Sequence, residues 1–167
     1  EGLTEIGEYA FYDCSALTEV NYNGTIADWC GISFGNSYAN PLYNARHLYI
    51  DGEEVKDLVI PSGVTAINSY AFYDYDALTS ITLPEGMTLI GESAFYYCNN
   101  LRIVINKSDL TITAGSKDNG YVAYYATIVT DSESKIKTVG DYIFCADGDT
   151  VVLIAYTGSE TSITLPS

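Results

Sequence analysis

The chain has 167 residues, with 22 acidic against 7 basic side chains, a net charge of −15 and a hydrophobic content of 47%. That charge argues against a surface that neutralises a nucleic-acid backbone or docks on anionic lipid. No run approaches the roughly 18 to 20 apolar residues of a membrane-spanning helix, so neither nucleic-acid binding nor membrane insertion is expected.

The first residue is Glu1, and the chain begins as if inside a structural unit. The expectation is a piece of a longer protein with further repeats at both ends. Residues Ile6–Val20 run I-G-E-Y-A-F-Y-D-C-S-A-L-T-E-V, with Ala10, Phe11, Cys14 and Leu17 at their characteristic places. The run returns at Ile67–Ile81 with Ala71, Phe72, Tyr75 and Leu78, and 23 residues later at Ile90–Val104 with Ala94, Phe95, Cys98 and Leu101. Self-similarity at a fixed period of this size marks a repeat architecture.

Each repeat reads in two halves. Alternation around Leu78, Ile81 and Leu83 points those residues to one face of a strand and leaves Ser80 and Thr82 on the other. Ala71 and Phe72 fill the opposite wall from a tight turn or short helical segment. A single coil cannot bury both walls, whereas stacked coils can, and their strands then pair as a parallel ladder. The expected class is mainly β with short helical turns: a solenoid of 23-residue coils with inserted hairpins. Its core would be Ala10, Phe11, Leu17, Ala71, Phe72, Leu78, Ile81, Ala94, Phe95, Leu101 and Val104.

In chain order, residues 1–22 read as a first coil and 23–54 as an insertion, which carries Trp29, Tyr38 and Tyr43 and interrupts the stack. Within it, His47–Ile50, the Asp51-Gly52 turn and Glu53–Ile60 read as a hairpin. Residues 55–106 are regular coils, whose strands end at Pro61 and Pro84, where no further backbone N–H is needed. Residues 107–142 lack the A-F-x-x-C run, so the regular solenoid is expected to pause. Just before them, Ile103 and Ile105 replace the polar outward positions, an apolar patch that the inserted segment or a partner should cover. Residues 143–167 give a second hairpin about Asp147-Gly148, then Ile163–Pro166 as the start of a further repeat strand. The whole is one continuous solenoid.

Little chemistry stands out. Cys14, Cys30, Cys98 and Cys145 form no C-x-x-C, and Cys14 and Cys98 share a repeat slot with Tyr75, which points to packed thiols. His47 has no nucleophile context around it. The carboxylates near Asp51 and Asp147 are those of Asp-Gly turns, without the spacing of a calcium loop. No phosphate cradle occurs. No catalytic, cofactor-binding or metal-binding residue is expected. The strongest bias is 16 tyrosines, which present rigid apolar area with a polar edge. Those at 9, 12, 70, 73, 96 and 97 flank the Ala-Phe pair; packing the solenoid wall accounts for most of them, and the rest could form an adhesive surface. Glu19, Asn21, Ser80 and Thr82, projecting from the ladder, are the candidate ligand face.

The run I-G-x-x-A-F-x-x-C-x-x-L-T-x-I at this spacing, with Leu58–Pro61 and Ile81–Pro84, resembles the BspA-like (Treponema pallidum type) leucine-rich repeats of bacterial surface proteins. The insertion Tyr22–Leu42 and the stretch Gly120–Ala126 are also similar to segments of that family. The resemblance implies a right-handed solenoid from a secreted or cell-surface protein, used for adhesion or for binding a protein or glycan, without catalytic residues. A structural spacer, or an accessory region of a larger secreted hydrolase, is the alternative.

Overall fold

The structure, a computed structural model, describes residues 2–165. Its repeating unit is a coil of two short strands joined by a tight turn. In the first coil β1 (Glu5–Ile6) passes through the turn to β2 (Val20–Tyr22). The chain then forms helix α1 (Ile26–Gly31), β3 (Ser33–Phe34), a 3-10 turn at Ser37–Ala39, helix α2 (Leu42–Ala45) and β4 (Leu48–Ile50). Short strands β5 (Glu53–Glu54) and β6 (Asp57–Val59) follow, then coils built from β7 (Ala66–Ile67) with β8 (Ser80–Leu83) and β9 (Leu89–Ile90) with β10 (Ile103–Asn106). A 3-10 turn at Asn119–Tyr121 leads to β11 (Ile128–Thr130), and the chain closes with β12 (Ile136–Val139), β13 (Tyr142–Asp147) and β14 (Thr150–Tyr156).

Coils stack through parallel pairing on two sides. On one side β1 pairs with β3 and β7 with β9; on the other, β2 pairs with β4, and β6, β8, β10 and β11 form a four-stranded ladder. Leu58, Ile81, Val104 and Val129 are in register along that ladder. The turns pair too, with Phe72 N donating to Ala94 O at 2.8 Å and Phe95 N to Gly120 O at 2.8 Å. Each turn reverses direction at two left-handed residues: Tyr9 and Asp13, Tyr70 and Asp74, Ser93 and Tyr97, with φ between 53° and 64°. The Ala-Phe pair lies between these reversals, which is why its spacing in the repeat is fixed.

The core comprises Ala71, Phe72, Leu78, Ile81, Ala94, Phe95, Leu101 and Val104, all buried. Tyr75 and Cys98, sharing one slot, are both fully enclosed; the Tyr75 hydroxyl donates to Val55 O and Cys98 Sγ to Phe72 O. The first coil departs from expectation. Ala10 and Cys14 are exposed and Phe11 and Leu17 only half-buried, because among the described residues a coil covers this one on a single side.

The segment 23–54 does not interrupt the stack. It forms a coil itself, with Phe34 and Leu48 separated by the 14 positions that also separate Ile6 from Val20, Ile67 from Ile81 and Ile90 from Val104. Its turn is rebuilt from short helices. Trp29 supplies the missing bulk, buried with its Nε1 donating to Ala71 O at 2.7 Å. The Asp51-Gly52 turn is present, with φ of 52° and 81°, but the strand after it ends at Glu54 and β6 joins the parallel ladder instead. Within residues 107–142 the solenoid continues as far as β11, since Val122 and Ala123 enter the core and β11 extends the ladder, and the chain leaves the stack only with β12.

Ile103 and Ile105 are covered. The cover is a three-stranded antiparallel meander, β12-β13-β14, which buries them with Cys145 and Ile154. Only β12 belongs to the inserted segment; β13 and β14 do most of the covering. The second hairpin turns at Gly148-Asp149 rather than Asp147-Gly148, because Asp147 still pairs with Thr150. Ile163–Leu165 form no strand and lie exposed, and Pro166 is outside the described residues.

Candidate functional site

The expected ligand face is divided. Glu19 and Asn21 are exposed beside and on β2, with Asn21 Nδ2 donating to Glu19 Oε1 at 3.0 Å. Ser80 and Thr82 lie on β8 in a different sheet. Thr82 is only 9% exposed, because it is flanked in the ladder by Ile105, itself under the meander. Ser80 is half-buried and donates to Asp57 Oδ1 at 2.7 Å. It borders a cleft of about 680 Å³ between the ladder and the meander, whose inner wall is Ile103, Ile105, Ile136, Ile143 and Ile154.

The turn-bearing side carries a larger feature. Tyr9, Tyr12, Tyr38, Tyr43, Tyr70, Tyr73, Tyr96, Tyr97, Tyr121, Tyr124 and Tyr125 form one connected set of rings with neighbouring centroids 4.1 to 6.3 Å apart. The stripe crosses every coil from the first to the one closed by β11. Repetition places Tyr12, Tyr73 and Tyr96 at equivalent points of the motif-bearing turns; in the coil between the first two, the 3-10 turn supplies Tyr38 and helix α2 supplies Tyr43. None of the eleven is buried, and Tyr9, Tyr12 and Tyr97 are 57%, 53% and 41% exposed.

Four of these tyrosines are held in the left-handed region: Tyr9, Tyr70, Tyr97 and Tyr121, with φ of 60°, 62°, 64° and 67°. Such a backbone costs an L-residue roughly 1–2 kcal/mol relative to glycine, and Asn or Asp tolerates it better than an aromatic does. Packing alone does not demand a ring at a position as open as 9 or 97. Residues kept against backbone preference gather at functional sites.

Midway along the stripe a hollow of about 520 Å³ opens between Tyr43 and Tyr97, floored by polar groups from four coils: Ser15, then Asn44 with Arg46, then Asp74, then Asn99. Arg46, at the left-handed end of α2, reaches Asp76 Oδ2 at 3.1 Å and Asp74 Oδ2 at 3.6 Å. Asn99 Nδ2 donates to the other oxygen of Asp76 at 3.0 Å, and Asn44 Nδ2 to Phe11 O at 2.8 Å. The half-exposed Arg46–Asp76 pair contributes at most about 1 kcal/mol to stability, but together these contacts fix the direction of Arg46, Asn44 and Asn99. Burial raises the Asp74 carboxyl, with Arg46 pulling the other way and Asp76 adding to the rise. Burial, reinforced by Tyr97 and Asp74, pushes the Tyr73 phenol up to about 12.

Elsewhere the groups with chemical potential are occupied. His47 Nδ1 is hydrogen-bonded to Glu54, which also pairs with Lys56 at 2.8 Å. Burial pushes the Cys30 thiol up to about 12 and raises Cys98 further, so neither is a ready thiolate. Among the described residues, no three His, Cys, Asp or Glu side chains are placed to hold a metal ion.

The stripe was partly legible in sequence, since six of its tyrosines flank the Ala-Phe pair. Tyr38, Tyr43, Tyr121, Tyr124 and Tyr125 lack the repeat motif, and only the stacking of their irregular coils brings them into line.

A family model described as BspA type leucine rich repeat region, in six copies, matches residues 1–42 and 46–150. No curated protein matches the chain. Among solved structures it is similar to a leucine rich cell surface protein from Faecalibacterium prausnitzii A2-165, at 21% identity and a TM-score of 0.34. The similarity covers 98% of this chain and 46% of that one, so the chain spans less than half the length of that protein.

Proposed function

The chain belongs to the BspA-type leucine-rich repeat family, and from that premise we propose that it is a non-catalytic, extracellular binding module whose tyrosine-bearing side engages a protein or glycan partner. The observation that carries this reading is the connected stripe of eleven tyrosines, four of them kept in a backbone conformation that disfavours them. Tyrosine offers large, rigid contact area at low entropic cost, the property that binding surfaces use most. A solenoid supplies the frame, because stacked coils hold rings from distant parts of the sequence in a fixed row. The cell-surface setting is part of the proposal and is supported by membership of the family; the partner is not, since a fold does not name its ligand.

The test is binding of the purified chain to immobilised matrix proteins and to a glycan array, with Tyr12→Ala and Tyr97→Ala alongside. A signal on either panel that both variants weaken supports the reading. Silence on both panels overturns it and favours a spacer.

A further inference from the structure

We infer that the hollow between Tyr43 and Tyr97 binds an uncharged hexopyranose unit of a polysaccharide or glycan chain, with adjoining tyrosines of the stripe contacting the flanking sugars. The inference rests on the binding-module reading and names the ligand class at that site.

A pyranose has two kinds of surface, C–H faces that are apolar and a rim of hydroxyls that each donate and accept. The hollow matches both. The rings of Tyr43 and Tyr97 provide flat apolar faces with polar edges. Between them stand the Arg46 guanidinium, the Asp74 carboxylate and the amides of Asn44 and Asn99, planar groups able to meet hydroxyls in pairs. Arg46 and Asn99 are both tethered to Asp76, and Asn44 to the Phe11 carbonyl, so the site is arranged before a ligand arrives. Its volume, about 520 Å³, lies within the roughly 300–1,000 Å³ of small-molecule sites.

Two observations select an uncharged sugar over other partners. No residue lining the hollow has an aliphatic side chain, whereas the centre of a protein–protein interface is its most apolar part. The chain carries a net charge of −15, which repels sulfated, sialylated or phosphorylated ligands over the whole approach. A third observation separates binding from structure. Tyr97 has φ of 64° and is 41% exposed, so asparagine at this position would fit the backbone better while removing the ring.

The experiment titrates the full chain with hexasaccharides of β-linked glucose, mannose and galactose, with a heparin hexasaccharide and with immobilised matrix proteins. At least one neutral hexasaccharide should bind, with little dependence on salt. Tyr97→Asn and Tyr43→Ala should each weaken it by about tenfold or more, equivalent to about 1.4 kcal/mol. Tyr97→Phe should stay close to wild type, and Tyr97→Asn should melt no lower than wild type. Neutral-sugar binding untouched by either variant would remove the site. Preference for heparin, or a protein ligand lost in Tyr97→Asn without any sugar binding, would overturn the ligand class and leave the binding-module reading standing. Silence towards every probe would take down both.

Discussion

The rings of Phe72 and Phe95 lie 5.2 Å apart, with planes only 13° from parallel. These side chains are 23 positions apart in sequence, the offset that also pairs Leu58 with Ile81 and Ile81 with Val104 in the ladder. Both rings are fully buried, so each is held on one face by the next coil. Phe95→Ala should cost about 3–5 kcal/mol in chemical denaturation, the usual range for an emptied aromatic site. Phe11→Ala, at the half-exposed first coil, should cost much less. Equal losses would contradict a stack that is thinnest at that coil.

Glycine in the I-G pair has a role that depends on its neighbour. A Cβ on Gly91 would sit 2.4 Å from Ser69 N and 2.7 Å from Asn68 C, whereas one on Gly7 meets nothing within 4 Å. Gly91→Ala should therefore push two backbones apart and lose about 1–3 kcal/mol. Gly7→Ala should stay within about 0.5 kcal/mol of wild type. A thermal melt of each variant distinguishes them.

The meander and the solenoid have separate apolar clusters, which thiol labelling can read. Cys14 is exposed, Cys145 is buried in the cluster with Ile154, and Cys30 and Cys98 belong to the main core. The native chain should react quickly at Cys14 alone. Ile154→Asp places a charge in the smaller cluster, and Cys145 should then react while Cys30 and Cys98 stay protected. Simultaneous labelling of all four would show that the two units unfold together.

Alkaline pH should weaken the fold. The Tyr73 phenol and the Cys30 thiol are both raised to about 12, from ordinary values of 10.0 and 9.0. A group whose folded value is raised holds its proton more tightly in the fold. Its contribution is complete below the unfolded value and is lost as pH rises through the folded one. The denaturation midpoint should thus hold steady up to pH about 9 and decline between about 9 and 12. A midpoint that rises over that interval would contradict the burial of these groups.

The regular coils were legible because their motif pairs a fixed spacing with residues of fixed size: Ala71 and Phe72 recur as Ala94 and Phe95. The coil containing Phe34 and Leu48 was not, since Trp29 and two short helices replace the Ala-Phe turn while only the strand-to-strand distance survives. Cover over Ile103 and Ile105 could be foreseen from their misplaced hydrophobicity, but its source could not. The meander's first strand, β12, joins β13 through a turn at Gly140-Asp141, outside the Asp-Gly hairpin signals. Thr82 looked outward by alternation and does face away from the core; its burial comes from a sheet contributed much later in the chain. Long-range placement also decided the tyrosines, whose local pattern could not separate wall packing from a continuous surface.

The measurement that bears most directly on the function is a comparison of two surface variants on whichever immobilised partner the chain binds. One removes Tyr12 and Tyr97 from the turn side, and the other removes Glu19 and Asn21 from the ladder side. Loss of binding in the tyrosine variant alone, with unchanged circular dichroism in both, is the expected result. Loss in the ladder variant alone would place the binding surface on the ladder and contradict the assignment.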